Sequence, residues 1–150
     1  MLKTVKYRKF ENLDHGFGRI FSNPTIKKLG ISHDMTVLLL NPPGDYFDLL
    51  PKDISGQFCS KKEKPDFIHL FVKSEKELVD NMQKLENKIL PTTIIWVSWY
   101  KKSAKIPTDV TEDTIRNYAL QHDLVDIKVC AVSEIWSGLK LVVPVSKRKQ

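Results

Sequence analysis

The sequence predicts a single α/β domain in which a mostly parallel β-sheet carries helices on both faces. Apolar runs of strand length alternate with amphipathic segments of helical period, and proline or glycine stands at most junctions. The chain has 150 residues, 41% of them hydrophobic, which is enough to bury one core. With 6 glycines and 8 prolines, it is not a low-complexity chain.

Proline and glycine mark the first elements. Residues 1–23 show no sustained apolar period and form a basic N-terminal arm, which either lies on the domain or stays mobile. Pro24 suits the first turn of a short helix that Gly30 would end. The apolar run over residues 36–41 predicts a buried central strand, which stops at residues 42–44, Pro-Pro-Gly. The folded domain is therefore expected to begin at Pro24.

The next segments alternate between helix and strand patterns. Residues 46–50 indicate a short helix, and residues 56–60 indicate a weak second strand. Residues 66–72 are apolar apart from His69 and predict a third, buried strand.

The second half of the chain repeats this alternation. Ser74 and Glu77 form a capping box, in which each side chain satisfies the other's backbone donor, at the start of an amphipathic helix over 75–89. Residues 92–99 are β-branched and aromatic and predict a central strand. Thr111 can cap a further helix, whose first turn holds Glu112 and Asp113 and therefore suits the positive end of the helix dipole. Asp109, Glu112 and Asp113 are all expected to cap this helix rather than to neutralise the nearby lysines.

The domain is expected to end in an antiparallel hairpin. Residues 124–132 and 139–145 read as strands joined by residues 133–138. Six strands result, in the order 2-1-3-4-6-5, which is a methyltransferase-like Rossmann sheet in a three-layer sandwich. This α/β domain spans residues 24–145, and residues 146–150 form a basic tail.

Three short segments combine tryptophan, glycine and lysine in a distinctive way. They are Lys28-Leu-Gly-Ile31 followed by Met35, Trp96-Val-Ser-Trp99 with Lys101-Lys102, and Trp136-Ser-Gly-Leu-Lys-Leu-Val142. Together they resemble a family of small bacterial proteins known as a domain of unknown function, over roughly residues 24–143. The resemblance implies a compact methyltransferase-like Rossmann domain, and it implies no particular reaction.

The positive charge of the chain lies at its ends. With 24 basic and 18 acidic residues, the formal net charge is +6. Residues 1–28 and the tail hold the excess of lysine and arginine, whereas residues 29–146 are slightly more acidic than basic. Duplex binding needs a basic face on a rigid element, so that each phosphate contact is held in register. The charge therefore argues against a nucleic-acid partner, and an RNA-associated protein that uses its basic termini is an alternative.

Several other classes are excluded by the sequence. There is no apolar run of about 18 residues that would span a membrane, and no signal peptide, so we expect a cytoplasmic protein without a membrane partner. Two cysteines, Cys59 and Cys130, are too few for a disulfide framework or the usual paired zinc spacings, and we expect no metal site. Cys130 alternates with apolar neighbours and is expected to be a small core residue.

The residues expected at the carboxyl ends of the first strands do not match an S-adenosylmethionine site. Ligands of open α/β sheets bind at that edge, on backbone N–H groups that glycines leave accessible. Residues 41–44, Asn-Pro-Pro-Gly, offer one glycine and two prolines without N–H groups. Cys59 and Ser60 stand where an acidic residue would hold the ribose. We therefore expect no cofactor, and a degenerate or atypical S-adenosylmethionine-dependent methyltransferase is a second alternative.

The same turn comes close to the Asn-Pro-Pro-aromatic motif of amino-methyltransferases. In that motif the Asn side chain helps to hold the target amine and the aromatic ring stacks on the base. Here the fourth position is Gly44, and the nearest aromatic residue, Tyr46, lies two positions later. We expect residues 41–44 to form a rigid turn that ends a strand.

The strongest candidate for binding is the segment over residues 99–103, Trp-Tyr-Lys-Lys-Ser. Two ammonium groups, a hydroxyl and two aromatic rings suit an anion with a planar group, such as a nucleotide or a carboxylated metabolite. The other interpretation is a solvated loop behind a buried Trp99. His69 is expected to be a neutral core histidine bonded to a backbone carbonyl, with a pocket acid or base as the alternative.

These observations favour a binding domain rather than an enzyme. Its ligand would be a small anion or a protein partner. No catalytic residue is predicted, and the oligomeric state is left open. The candidate ligand-binding residues are Asn41, Gly44, Tyr46, His69, Lys73, Trp99, Lys101, Lys102 and Ser103.

Overall fold

A computed structural model describes residues 29–32, 34–44 and 64–148 of the chain. In that part of the chain, five strands form one sheet and two α-helices accompany it. The strands are β1 (Val37–Leu40), β2 (Phe67–Phe71), β3 (Ile94–Tyr100), β4 (Val125–Ala131) and β5 (Trp136–Val142), and the helices are α1 (Glu75–Leu85) and α2 (Glu112–Gln121). Short 3-10 helices cover Glu86–Lys88, Lys102–Ala104 and Val145–Lys147.

Some predicted segments lie outside the described residues. They are the arm over 1–23, the helix over 46–50 and the strand over 56–60. Of the helix expected to run from Pro24 to Gly30, only the end is described. Leu29 is helical, and Gly30 has a φ of 82°, in the left-handed region that commonly ends helices. The role predicted for Gly30 is therefore confirmed.

The strand order is β1-β2-β3-β5-β4. β1 pairs with β2 and β2 with β3 in parallel, whereas β5 pairs antiparallel with both β3 and β4. The predicted order holds for these five strands. The description as a mostly parallel, six-stranded sheet needs correction, since the described sheet has five strands and is mixed. The strand predicted over 56–60 lies outside the described residues, and in the described sheet β5 pairs antiparallel on both sides, so two of the four strand pairs are antiparallel.

The parallel strands are buried on both faces, as their uninterrupted apolar sequences require. Every residue of β2 is buried, and in β1 only the last residue is partly exposed. Val97 and Ser98 of β3, which point to opposite faces of the sheet, are both completely buried. The apolar runs therefore correctly predicted the centre of the sheet.

Both helices begin at the caps that the sequence predicts. The Ser74 hydroxyl accepts a hydrogen bond from the Glu77 N–H at 3.1 Å, although the Glu77 carboxylate accepts from the N–H of Lys73, one residue earlier than expected. Thr111 caps α2 and forms a capping box with Thr114. The helix predicted over 75–89 is shorter, because its last residues tighten into the 3-10 helix Glu86–Lys88.

The sheet has an apolar core on each face. The core on one side, called here the helix face, includes α1 and α2 residues, namely Leu78, Met82, Leu85, Ile115 and Ala119, with Leu38, Ile68, Leu70, Ile95, Val97, Trp99, Leu139 and Leu141 from the strands. The core on the opposite face comprises Leu29, Ile31, Val37, Leu39, Phe67, Phe71, Trp96, Val132 and Trp136. Trp96 also donates its indole N–H to the Leu29 carbonyl at 2.8 Å, which fixes that segment on the sheet.

The last strand differs from the prediction in its bounds. Residues 133–138 were expected to be a connection, but the strand β5 already begins at Trp136 and ends at Val142 rather than at 145. Gly138 therefore lies inside a strand. A Cβ atom there would lie 3.1 Å from Trp96 Cε3 and 3.0 Å from Val132 Cγ2, so the glycine leaves room for the tryptophan ring.

β4 is the least buried strand. Ile127 and Val129 are 54% and 50% exposed, and the pairing with β5 shifts register between Asp126 and Lys128. Cys130 was predicted to be a small core residue, but it is half-buried and packs against the core opposite the helix face from its margin, because β4 is the least buried strand.

Candidate functional site

The carboxyl ends of β1, β2 and β3 lie at one edge of the sheet, where β5 begins. This carboxyl edge is where ligands of open α/β sheets bind. Asn41 follows β1, Lys73 lies two residues beyond β2, and Trp99 is the penultimate residue of β3. The topology therefore brings these candidates from distant parts of the sequence to the same edge.

Asn41 ties the ends of β1 and β2 together. It has a φ of 57°, a left-handed conformation that Asn tolerates better than most residues, and its Nδ2 lies 3.4 Å from the Phe71 carbonyl oxygen. Gly44 is exposed, and a Cβ atom added to it would meet no atom within 4 Å. Tyr46 lies outside the described residues. Ligand contacts by these three residues stay predictions.

Lys73 joins the β2 end to the loop that follows β3. Its N–H donates to a Glu77 carboxylate oxygen at 2.8 Å, and its carbonyl accepts from the Thr108 hydroxyl at 2.8 Å. In the same loop, Asp109 accepts from the N–H of Glu75 at 2.8 Å. These bonds hold the loop after β3 against the start of α1.

A cleft of about 780 Å³ opens between the end of β3 and the start of α2. Of the predicted site residues, Trp99, Lys101 and Lys102 line it. Among the described residues, the lining is formed by Trp99, Tyr100, Lys101, Lys102, Lys105, Ile106, Pro107, Thr108, Val110, Thr111, Glu112, Asp113 and Arg116. Ser103 is exposed in the 3-10 helix Lys102–Ala104 and is not among the lining residues.

Lys105 is a cleft residue that the sequence analysis did not identify. It follows the 3-10 helix with a φ of 57°, and its backbone N–H donates to the Lys102 carbonyl. This turn brings a third lysine into the same cleft. The sequence carries a weak signal for it, since Lys105 lies within four residues of Lys101 in one polar loop.

The carboxylates at the start of α2 are engaged by Arg116. Its guanidinium pairs with Glu112, with Asp113 at 2.7 Å, and with Asp126 of β4 at 3.1 Å. The hydrogen bonds that Arg116 donates to the Glu112 and Asp126 carboxylates raise the pKa of Arg116 above its ordinary value. Within the described part of the chain, no carboxylate lies within ion-pair distance of Lys101, Lys102 or Lys105.

His69 lies inside the sheet rather than in the cleft. Its side chain is completely buried, its Nε2 lies 2.8 Å from the Ser98 hydroxyl, and its ring stacks on Phe71 with centroids 4.3 Å apart. Burial lowers the pKa of His69 to about 3, so the ring is neutral near neutral pH. These observations agree with the interpretation as a neutral core histidine, although Nε2 meets the Ser98 hydroxyl rather than the expected backbone carbonyl, and a ligand contact stays a prediction.

Aromatic rings meet at the carboxyl edge on the face opposite the helices. Tyr100 stacks on Trp136 with centroids 4.5 Å apart, and Phe71 packs against Trp136 edge to face at 4.9 Å. Tyr100 also lines the cleft. The sequence predicts Trp99 and Tyr100 as the two aromatic rings of the binding segment, but it does not predict that Tyr100 stacks on Trp136.

The described residues contain neither a metal-binding cluster nor a membrane-spanning helix. No three His, Cys, Asp or Glu side chains there come close enough together to hold a metal ion. Neither described helix has the length and apolar character needed to cross a membrane.

The described residues after β1 do not fit S-adenosylmethionine, the cofactor of many enzymes with this sheet order. Pro42 and Pro43 have no N–H group to donate, and the space beside Gly44 is open rather than closely packed. The backbone cradle that such a cofactor needs is therefore not supplied by residues 41–44.

The topology defines a Rossmann-like α/β fold of the methyltransferase type, and known structures agree. No family model and no curated protein matches the sequence. Among solved structures, the chain is similar to an S-adenosylmethionine-dependent methyltransferase from Aquifex aeolicus, with a TM-score of 0.56, 14% identity, and 89% of this chain and 96% of that chain covered.

Two further structures give the same result. The B. subtilis tRNA methyltransferase TrmK aligns with a TM-score of 0.55 and 7% identity over 81% of this chain and 66% of its own. A protein of the NADB-Rossmann superfamily from Streptococcus agalactiae aligns with a TM-score of 0.51 and 8% identity, over 80% of this chain and 68% of that one. At such low identity the likeness establishes the fold alone.

Proposed function

We propose that this protein is a ligand-binding Rossmann-like domain whose cleft at the end of β3 takes a small anion with a planar group. One observation supports the proposal above others. Three lysines line the cleft, whereas the two carboxylates of its lining, Glu112 and Asp113, pair with Arg116 rather than with a lysine.

The charges of the cleft explain why an anion is the expected ligand. Glu112 and Asp113 are bound by Arg116, and Asp109 accepts a backbone N–H of α1. Sequence analysis had assigned these three acids to the cap of α2, and only two of them belong to that helix. Since none of them pairs with the lysines, a phosphate or carboxylate in the cleft would supply the opposite charge at close range.

The aromatic lining supports a planar group beside the anionic one. Trp99 is 7% exposed and forms part of the cleft wall, and Tyr100 follows it on the same strand. Aromatic side chains contribute large apolar contact area and stack on planar ligands. A ligand with both an anionic and a planar group would contact the lysines and the aromatic side chains of the cleft.

The lining favours binding over catalysis. It contains no histidine or cysteine, and the buried His69 has a pKa of about 3, far from that of a useful acid or base at neutral pH. The charged groups of the lining are suited to electrostatic recognition. A partner protein bearing an acidic, aromatic segment would satisfy the same groups.

The test is isothermal titration of the full-length protein with inorganic pyrophosphate and with adenosine, guanosine, cytidine and uridine monophosphates. The double variant Lys101→Glu/Lys102→Glu should lose binding and still fold, because surface charge changes usually alter stability by less than about 0.5 kcal/mol each. Lys76→Glu/Lys84→Glu, which makes the same charge change on exposed positions of α1, is the matched control and should still bind. Equal binding by wild type and the Lys101/Lys102 variant would refute the proposal, as would no binding of any probe.

A second candidate is an atypical S-adenosylmethionine-dependent methyltransferase. It is supported by the fold, since two of the similar structures are methyltransferases. It is opposed by the turn after β1, which lacks donors for the cofactor. We expect millimolar S-adenosylmethionine to leave Tm unchanged, whereas a ligand at 100 times its Kd stabilises a protein by about 2.7 kcal/mol. A Tm rise of several degrees would favour the methyltransferase.

A further inference from the structure

A second cavity, of about 310 Å³, lies between the carboxyl-terminal ends of α1 and α2. It is at the opposite end of α2 from the cleft, and the two share no lining residue among the described part of the chain. Met82, Ile89 and Leu124 contribute apolar side chains to its wall. Its volume is at the lower end of the range of small-molecule sites, roughly 300–1,000 Å³.

The lining of this cavity is negatively charged. It includes the carboxylates of Glu86 and Asp123, and no lysine or arginine of the described residues belongs to it. Asp123 pairs with Lys147 at 3.0 Å, whereas Glu86 forms no ion pair within the described part of the chain. The ends of both helices, which carry partial negative charge, meet here, and the last turn of α2 holds no basic residue. A cation is therefore the ligand that the cavity favours.

Tyr118 brings an unused hydroxyl to the same cavity. Its ring is half-buried and stacks on His122 with centroids 3.9 Å apart, and its Oη is buried without a hydrogen-bond partner. Burial and, to a smaller extent, the charge of Glu86 raise the pKa of Tyr118, so the hydroxyl keeps its proton near neutral pH. Since native structures rarely leave a buried polar atom unpaired, this hydroxyl calls for an explanation.

We propose that this cavity binds a small organic amine in its protonated form. The ammonium group donates to the Glu86 carboxylate and to the Tyr118 hydroxyl oxygen, and the apolar body of the amine packs against the apolar wall. Because the hydroxyl is shielded in the free protein, the Tyr118 ring moves towards the cavity on binding. A metal ion is not the expected cation, since no three His, Cys, Asp or Glu side chains of the described residues come close enough together to hold one. This inference does not depend on the function proposed for the cleft.

The first test is an ¹⁵N-HSQC titration of the full-length protein at neutral pH with butylamine and benzylamine, and with butan-1-ol and benzyl alcohol as uncharged counterparts. We expect the amines to cause saturable shifts of the backbone amide signals over residues 86–89 and 118–124, and the alcohols to cause none. The ring signals of His122 should shift as well, because its stacking partner moves. Equal shifts with the alcohols, or no saturable shift with either amine, would overturn the proposal.

The second test compares affinities for the amines. Glu86→Gln keeps the size of the side chain and removes its charge, so it should weaken binding by about tenfold, which corresponds to about 1.4 kcal/mol. Glu75→Gln makes the same charge change at an exposed position in the first turn of α1, outside the cavity, and should bind as the wild type does. Equal losses in the two variants would mean that the amine responds only to net charge, and unchanged binding by Glu86→Gln would refute the site.

Tyr118→Phe separates a binding role of the hydroxyl from a structural one. Removing an unpaired buried hydroxyl should raise the Tm of the free protein, whereas losing a contact to the ammonium group should weaken amine binding by about tenfold. A purely structural hydroxyl would change Tm alone, and that result would exclude Tyr118 from the site.

Discussion

The Nε2 of His69 and the hydroxyl of Ser98 lie 2.8 Å apart inside the sheet and join β2 to β3. Both side chains are completely buried, so neither can bond to bulk water. A hydrogen bond between two buried polar groups offsets the free energy of removing them from water. The pair therefore allows two polar residues to stand in otherwise apolar strands.

Burial of His69 predicts that stability depends on pH. The pKa of this ring falls from 6.5 to about 3 on folding, so the unfolded chain binds a proton that the native protein does not. The contribution of His69 to stability is fully present above pH 6.5 and declines as the pH falls towards 3. Between pH 7 and pH 5 the loss should be about 2 kcal/mol.

Urea unfolding of wild type and His69→Gln at both pH values measures this loss. The glutamine amide can bond to Ser98 but does not titrate, so its variant should show a correspondingly smaller dependence on pH. Parallel pH profiles for the two proteins would mean that His69 takes up its proton in the folded state as readily as in the unfolded chain.

Gly138→Ala is predicted to destabilise the domain. The added methyl group would lie 3.0 Å from Val132 Cγ2 and 3.1 Å from Trp96 Cε3, and the Trp96 ring is fixed by its bond to Leu29. Overpacking of this kind typically costs about 1–3 kcal/mol. Gly44→Ala is the matched control, because its methyl group would meet no atom within 4 Å. Chemical denaturation of both variants should show a loss for Gly138→Ala alone.

Gly138 also shows what the sequence can and cannot reveal about this fold. Continuous apolar runs located β1, β2 and β3, because strands buried on both faces are apolar throughout. Caps and an amphipathic period located both helices. The Trp-Ser-Gly element looks like a turn by local rules, since serine and glycine favour turns. The Val132 side chain and the Trp96 ring on the neighbouring strand β3 explain the glycine inside β5, and a local pattern holds no information about those contacts.

The candidate site at the end of β3, like the fold, was predictable only in part from the sequence. A lysine pair after a central strand predicts a charged carboxyl edge, and Lys101 and Lys102 do line the cleft. The partners of the nearby acids were not predictable. Asp109 was assigned to the cap of the helix that follows it, yet it accepts a hydrogen bond from Glu75 of α1, which is distant in sequence. That bond depends on where the loop after β3 folds back.

Asp109→Ala should therefore weaken α1 rather than α2. The loss of an acceptor for the Glu75 N–H should cost about 0.5–2 kcal/mol, in the range of a helix N-cap. Asp80→Ala removes another exposed aspartate of the same region, paired with Lys76 in an i,i+4 ion pair, and should cost less. Amide hydrogen exchange should show faster exchange in the first turn of α1 for Asp109→Ala. Faster exchange confined to α2 would contradict this assignment.

Neutralising one acid of the cleft should strengthen anion binding. The Asp113 side chain lines the cleft and is 80% exposed. Within the described residues its only ion pair is with Arg116, which also pairs with Glu112 and Asp126. Asp113→Asn removes a negative charge near the lysines and leaves the other two pairs of Arg116 in place. Across a solvent-exposed cleft this change should tighten pyrophosphate binding on the order of twofold at low salt.

The effect of Asp113→Asn should disappear at high ionic strength, because salt screens charges in an exposed cleft. Asp80→Asn, the same change on the exposed surface of α1, should leave the affinity for pyrophosphate unaltered, since Asp80 does not line the cleft. Isothermal titration of the three proteins at low and high salt separates a local effect from one of net charge. If both variants tighten binding equally, the anion responds to the net charge of the protein, and the lysines of the cleft are not its site.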